Sequence, residues 1–355
     1  LDINPLIVSA TGAVAVDARI ILTPPNADST DPALPAAPLM APSPDAASYF
    51  APLFAPKTIA VVGASSSGVN IANTFIERLG EYGFAGAIYP IHPTAESVSN
   101  LPAYPTLANT PEPVDYAYIA VGADRIPPLL AAAQGRVKFA QVISAGFGEV
   151  EQGVDLQSNL VAAARTGGCR LIGPNCLGLH TPRGNVSFAK NASRDLGTVG
   201  VISQSGGLGT DIVKRGQGRG IQFSGVLTVG NSADLGPNDF LEFYLADAQT
   251  KVVGMYLEDV KDGRRFAKIL RDAKANKPVV ILKGGRTRQG QRAAASHTGS
   301  LAGDDRVWDA LSQQTGCVLT DTLDQFLEAL LAFQCMAPRP DRPTRRVVLF
   351  GNGGG

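Results

Sequence analysis

The sequence predicts an α/β protein built from two successive doubly wound parallel sheets. Short β-branched runs alternate with amphipathic stretches from Thr58 onward, and the alternation starts afresh after Lys190. A chain of 355 residues is also long enough to bury two ordinary cores.

In the first series, residues 58–62, 87–90, 117–121 and 141–144 are strand candidates. A helix follows the first of them, with Ile71, Phe75, Ile76 and Leu79 on one face. The second series, at 198–202, 225–229, 252–257, 279–282 and 317–320, predicts about five parallel strands with helices between. Residues 23–48, dominated by proline, alanine, serine and aspartate, read as a solvated linker. Both ends read as interior sequence. The chain opens at Leu1 inside a strand-like pattern, and it stops after a buried-strand run that enters a glycine loop at Gly351.

Lysine plus arginine equal aspartate plus glutamate at 31 each, so no global field draws in nucleic acid or an anionic membrane. Cys169, Cys176, Cys317 and Cys335 form neither a CxxC pair nor a disulfide framework, which fits a reducing cytoplasm. No apolar run approaches the roughly 20 residues of a membrane span, and no signal peptide opens the chain. The sequence therefore reads as soluble and cytoplasmic.

In parallel sheets ligands sit beyond the carboxyl ends of strands, so chemistry is expected in the loops there. Gly63-Ala64-Ser65-Ser66-Ser67-Gly68 follows the opening strand and precedes a helix, where backbone amides hold phosphate. It lacks the middle glycine of GxGxxG. The next strand ends in Tyr89-Pro-Ile-His-Pro93, without the carboxylate that a nicotinamide ribose requires. That ranks a dehydrogenase low; the bland reading of the loop is a tight turn.

Ser203-Gln-Ser-Gly-Gly-Leu-Gly209 also lies between a strand and a helix, and it makes a good cradle for phosphate or carboxylate. It is no nucleophile elbow, since no glycine sits two residues before either serine. His297, among small residues and preceded by Arg286, Arg288 and Arg292, suits a loop that presents an imidazole to accept and release phosphoryl groups. A lone loop histidine is more often a surface residue. Glu258 falls at the end of a strand, where a carboxylate orients an imidazole; its bland reading is a solvated pair with Asp259. His92 and His180 read as structural, although His92 lies at a ligand-side strand end.

Taken together, the loops resemble the nucleoside-diphosphate-forming acyl-CoA synthetases, the superfamily of succinyl-CoA synthetase and ADP-forming acetyl-CoA synthetase. The likeness runs from residue 49 to 335. It includes Ile172-Gly-Pro-Asn-Cys-Leu-Gly178, Gly230-Asn-Ser-Ala-Asp234, Leu257-Glu-Asp and Ser296-His-Thr-Gly299. It implies a Rossmann-like CoA-binding domain over 49–192, then a flavodoxin-like parallel-sheet ligase domain over 193–337.

The resemblance implies a CoA site at Gly63, Ala64, Ser65, Ser66, Ser67, His92, Ser144 and Ala145, and a phosphate cradle at Ser203, Ser205, Gly206 and Gly207. His297 matches the phosphohistidine and Glu258 the carboxylate beside it. Residues 1–22 resemble the end of an ATP-grasp domain, with Asn4 and Asp17 as magnesium ligands, and 338–355 resemble a linker into a further α/β domain. Where the family often carries asparagine and lysine, this chain has His92 and Thr94, so backbone amides and serine hydroxyls would carry more of the CoA phosphate binding.

The expected reaction joins a small carboxylic acid to CoA, with ATP giving ADP and phosphate, on a homo-oligomer. The ATP-grasp domain lies in the same polypeptide or in a partner subunit. A catalytically silent CoA-binding regulatory module is the alternative. The acid, and ATP against GTP, stay open.

Overall fold

The computed structural model describes the short strands Asp2–Ile3, Leu6–Ser9, Gly12–Ala15 and Ala18–Arg19, together with residues 46–68, 70–273, 277–285 and 305–336. Leu1–Ser43 and Pro44–Gly355 are two compact units. In the first unit, Leu6–Ser9 pairs antiparallel with Gly12–Ala15, and Asp2–Ile3 with Ala18–Arg19.

The second unit holds both α/β sheets. Among the described residues the first sheet runs, in spatial order, Arg170–Ile172, Val137–Val142, Val114–Ile119, Thr58–Val62 and Ala87–Ile91, all parallel. Thr58–Val62 and Val114–Ile119 are buried throughout, as strands covered on both faces must be. Helix Ile71–Tyr82 starts where the Asn70 side chain accepts from the Ala72 and Asn73 N–H groups, and it ends at Gly83 with φ 84°. It buries Phe75 on Tyr118, with ring centroids 4.0 Å apart.

The expected strand at 141–144 is instead Val137–Val142, which leaves Ser144 in the loop. Exposed Lys138, paired with Asp115 at 2.8 Å, interrupts the apolar run and hides the strand's first half from a pattern reading.

The second sheet contains the expected five parallel strands, in spatial order Phe223–Thr228, Val199–Ser203, Val252–Leu257, Val279–Lys283 and Val318–Thr320. Two antiparallel strands, Leu179–Thr181 and Val186–Ser187, extend it beyond Phe223–Thr228. In each sheet the first parallel strand lies between the second and third. The chain therefore winds in opposite directions from that point and opens a crevice at the carboxyl edge.

Helix Ala46–Phe54 precedes the first sheet yet packs between the two. Phe50 stacks on Phe139 of the first sheet and tilts against Phe240 of helix Pro237–Ala246, while Phe54 stacks on Phe243 at 4.1 Å. Each such buried ring contributes about 1.5–3 kcal/mol.

Loops stitch the carboxyl edges together as well. Asn231 and Ala233 donate their N–H groups to Pro174 and Gly173, and the Arg170 guanidinium grips the Asp234 carboxylate at 2.8 and 3.1 Å. Gly230, at φ 48°, is required at this seam, because a Cβ there would sit 2.2 Å from the carbonyl oxygens of Pro174 and Asn175.

Candidate functional site

The loop after Thr58–Val62 is a set of small residues fastened by two asparagines. The Ser65 N–H donates to Asn73 Oδ1 at 2.8 Å, and Asn73 Nδ2 returns a bond to the Ser65 carbonyl at 3.0 Å. Asn70 Nδ2 donates to the Gly63 carbonyl, and the Ser67 N–H to Ser65 Oγ. Ala64 is buried, whereas Ser66 and Ser67 are exposed. Gly63, at φ 102°, lies so close to the next loop that a Cβ would meet the Ala120 carbonyl oxygen at 2.3 Å. Ser144 Oγ donates to the Val121 carbonyl, so the 63–67 and 144–145 segments flank the same 120–121 turn. His92 folds back on its own loop: its Nδ1 accepts from the Thr94 and Ala95 N–H groups at 3.3 and 2.9 Å.

On the second sheet, Val199–Ser203 leads into helix Gly206–Gly218, whose N-cap is Ser205, with its side chain accepting from the Leu208 N–H. Gly206 fits under Leu177, where a Cβ would meet Cγ at 2.8 Å, and Gly207 faces open space. The first turn thus presents backbone N–H groups and a helix dipole to the crevice. Ser203 is fully buried; its hydroxyl donates to the Ser205 carbonyl at 2.7 Å and shapes the turn.

Glu258 follows Val252–Leu257 on the neighbouring strand. Its carboxylate accepts from the Tyr256 hydroxyl at 3.3 Å, its N–H donates to Gln204 Oε1, and its carbonyl accepts from Lys283 Nζ at 2.8 Å. Burial, with Glu258 beside it, holds the Tyr256 phenol well above its ordinary pKa, so it stays a donor.

Between the two edges lies a cavity of about 750 Å³. The second sheet contributes Gln204, Ser205, Gly206, Gly207, Glu258 and Asp259 to its wall; the first contributes Ile143, Glu149, Gln157 and the 175–177 segment. The structure therefore brings Ser205, Gly206, Gly207 and Glu258 together. Gly63–Ser67, His92, Ser144 and Ala145 lie on the same edge of the first sheet, off this wall. Glu258 and Asp259 also line a second cavity of about 990 Å³, with Phe266, Trp308 and Lys283. His297, Asn4 and Asp17 lie outside the described residues. Among the described residues no cluster of His, Cys, Asp or Glu is arranged to hold a metal ion, and no helix is long and apolar enough to cross a membrane.

Several wall residues gave no sequence signal. Partial burial works against ionising Glu149, yet the Asn231 amide and the Gly146 and Phe147 N–H groups hold its carboxyl below the ordinary range. Gln157 Oε1 accepts from the same Asn231 amide at 2.9 Å. In the sequence these are polar residues of a loop and a helix, and only the fold closes them on Asn231. Gln204 stood inside the expected cradle, and its strand-end position was the clue available.

Comparison with known proteins follows the same division. Residues 57–182 match a CoA binding domain, and 196–333 match the succinyl-CoA ligase like flavodoxin domain. The chain is 37% identical over 351 residues to acetate–CoA ligase [ADP-forming] II of Archaeoglobus fulgidus, covering 96% of this chain and 49% of that protein. The chain belongs to the nucleoside-diphosphate-forming acyl-CoA synthetase superfamily. Another superfamily member, the alpha subunit of acetate–CoA ligase [ADP-forming] I of Pyrococcus furiosus, is 37% identical over 307 residues, covering 84% of this chain and 66% of that subunit.

Among solved members, the dinucleotide forming acetyl-coenzyme A synthetase 1 of Ca. Korarchaeum cryptofilum, in complex with phosphate and ADP, superposes with a TM-score of 0.75. It is 36% identical, covering 80% of this chain and 62% of that one. The chain thus spans about half to two thirds of the length of these superfamily relatives.

Proposed function

We propose that this chain is the CoA-binding and phosphoryl-relay portion of an ADP-forming acyl-CoA synthetase, an acid-thiol ligase. The supporting observation is that one cavity between the two carboxyl edges gathers the helix N-terminus at Ser205–Gly207 and the Glu258 carboxylate. The ligase names and domain organisation of the relatives support it independently.

A carboxylate is a poor acyl donor and an acyl phosphate a good one, so the reaction divides into accessible steps. His297 takes the γ-phosphoryl of ATP, with release of ADP, and passes it to the acid's carboxylate. The CoA thiolate then attacks the acyl carbon, forming the thioester as the carbon–oxygen bond to phosphate breaks. Ser205, Gly206 and Gly207 stabilise the departing phosphate through backbone N–H groups, on a turn that Ser203 braces. Glu258 orients the imidazole and favours its phosphorylated form.

CoA would lie along Gly63–Ser67, His92, Ser144 and Ala145. Its own hydrogen bonds fix the loop there and leave Ser66 and Ser67 exposed, where their hydroxyls would meet the phosphates. ATP binds an ATP-grasp partner, in the same polypeptide or in a separate subunit as the alpha-subunit relatives suggest. Asn4 and Asp17 supply the oxygen donors that magnesium prefers, and the cation would neutralise nucleotide charge. The working protein is a cytoplasmic homo-oligomer.

The test is to incubate the chain, joined to its ATP-grasp portion, with γ-radiolabelled ATP and magnesium and to quench in alkali. Base-stable, acid-labile label should appear on His297 and vanish in His297→Ala, while CoA binding stays within about twofold. Undiminished labelling of His297→Ala refutes the reading. A phosphate-release screen across acetate, branched, dicarboxylic, aryl and hydroxycinnamic acids, run with ATP and with GTP, then identifies the substrates.

A further inference from the structure

We infer that Gln204 is the positioning residue that locks the Glu258–Asp259 loop onto the anion cradle. The inference rests on the site reading proposed above and adds a role that the reading leaves empty. Gln204 immediately precedes the N-cap Ser205, and its backbone N–H donates to the Tyr256 carbonyl at 3.1 Å, which prolongs the pairing of the two central strands. The residue is 8% exposed, and its side chain reaches over the neighbouring strand's loop. Oε1 accepts from the N–H groups of both Glu258 and Asp259, the latter at 3.0 Å, while Nε2 donates to Asp259 Oδ1 at 2.6 Å.

A carboxamide accepts two N–H bonds at its oxygen and, without needing to be protonated, donates to a carboxylate from its nitrogen. The partners also fix its orientation, since the flipped amide would set NH₂ against two N–H donors. Lys283 completes the clamp from the neighbouring strand by donating to the Glu258 carbonyl at 2.8 Å. Both main-chain groups of Glu258 are therefore held, and its carboxylate keeps one attitude beside the Ser205–Gly207 turn.

Among the described residues, the charged groups around Gln204 are Asp259 on its amide, the Glu258 carboxylate on Tyr256, Lys283 on the adjacent strand, and Lys261 and Glu149 along the cavity wall. Gln204→Glu preserves the acceptor for both N–H groups but sets an oxygen against Asp259 Oδ1. That contact is restored only when the two carboxyls share a proton, which happens toward acid.

The experiment measures kcat, KM for CoA and His297 labelling in the chain joined to its ATP-grasp portion. Gln204→Leu should lower kcat by about 10- to 100-fold, with KM for CoA within about twofold. Gln204→Glu should approach wild type near about pH 6 and fall about tenfold or more below it by about pH 8. A Gln204→Leu enzyme within about twofold of wild-type kcat, or a Gln204→Glu enzyme that tracks the wild-type pH profile, overturns the inference. If Gln204→Leu fails to fold, Gln204→Glu decides the matter within one protein. Absence of label from wild type would overturn the parent reading, and this one with it; normal wild-type labelling with unaffected variants overturns this one alone.

Discussion

The two sheets share a strand order and place their crevices at equivalent points, yet they equip them differently. At the first, the 63–67 loop is made of glycine, alanine and serines fastened by Asn70 and Asn73, and what it offers a ligand is backbone and hydroxyl. At the second, a helix N-terminus sits beside a carboxylate whose main chain is pinned by Gln204 and Lys283. A loop of backbone donors binds an anion without changing it, whereas a fixed ionised side chain favours one charge state of a reacting group over another. On the proposed function, binding would therefore belong to the first crevice and group transfer to the second.

The sharpest way to break that division is Glu258→Gln, which retains an oxygen for the Tyr256 hydroxyl and removes the charge. We expect kcat and the rate of His297 labelling to fall by about 10²–10³-fold, in the range of lost electrostatic stabilisation. The Kd for CoA, measured by calorimetry on the same protein, should not move. A variant that loses CoA affinity but labels normally would reverse the assignment of the two crevices.

The seam between the sheets offers the next test. His180 lies on Leu179–Thr181, fully buried, edge-on to Tyr82 of the first sheet's helix and bonded to Ser187 Oγ at 3.1 Å. Burial pushes its pKa down to about 4. The unfolded chain takes up this proton near pH 6.5 while the folded chain refuses it, so the stability contribution is complete above about pH 6.5 and is lost as pH falls toward about 4. The full loss is about 3 kcal/mol. Urea unfolding at a series of pH values should show that slope, and His180→Leu should flatten it. An equal slope in both proteins would mean that other groups carry the acid sensitivity.

Much of this was legible in the sequence because parallel strands buried on both faces write themselves as apolar runs. Thr58–Val62 and Val252–Leu257 are of that kind. Strand Val137–Val142 was half hidden because Lys138 reaches solvent from within it. Leu179–Thr181 and Val186–Ser187 escaped because three-residue and two-residue strands carry no period, and because His180, Thr181 and Ser187 are polar residues buried by partners distant in the chain. In the site, the cradle and Glu258 were legible as residues at strand ends. The clamp formed by Gln204, and the Glu149–Asn231–Gln157 junction, were not, because each depends on hydrogen bonds between residues 54 to 82 positions apart.

The gentlest test touches the first crevice alone. Gly63 combines φ 102° with a Cβ position 2.3 Å from the Ala120 carbonyl, so Gly63→Ala must move the loop by which the two flanking segments proposed for CoA keep their spacing. The strained backbone should cost about 1–3 kcal/mol of stability. Because the displaced loop carries exposed Ser66 and Ser67 of the proposed CoA site, the Kd for CoA should rise about tenfold, equivalent to about 1.4 kcal/mol. The Ser205–Gly207 turn and Glu258 are built on the other sheet and share no hydrogen bond with this loop among the described contacts. Labelling of His297 by ATP should therefore proceed at the wild-type rate in Gly63→Ala, and a slowed label would show that the two crevices are mechanically coupled rather than separately equipped.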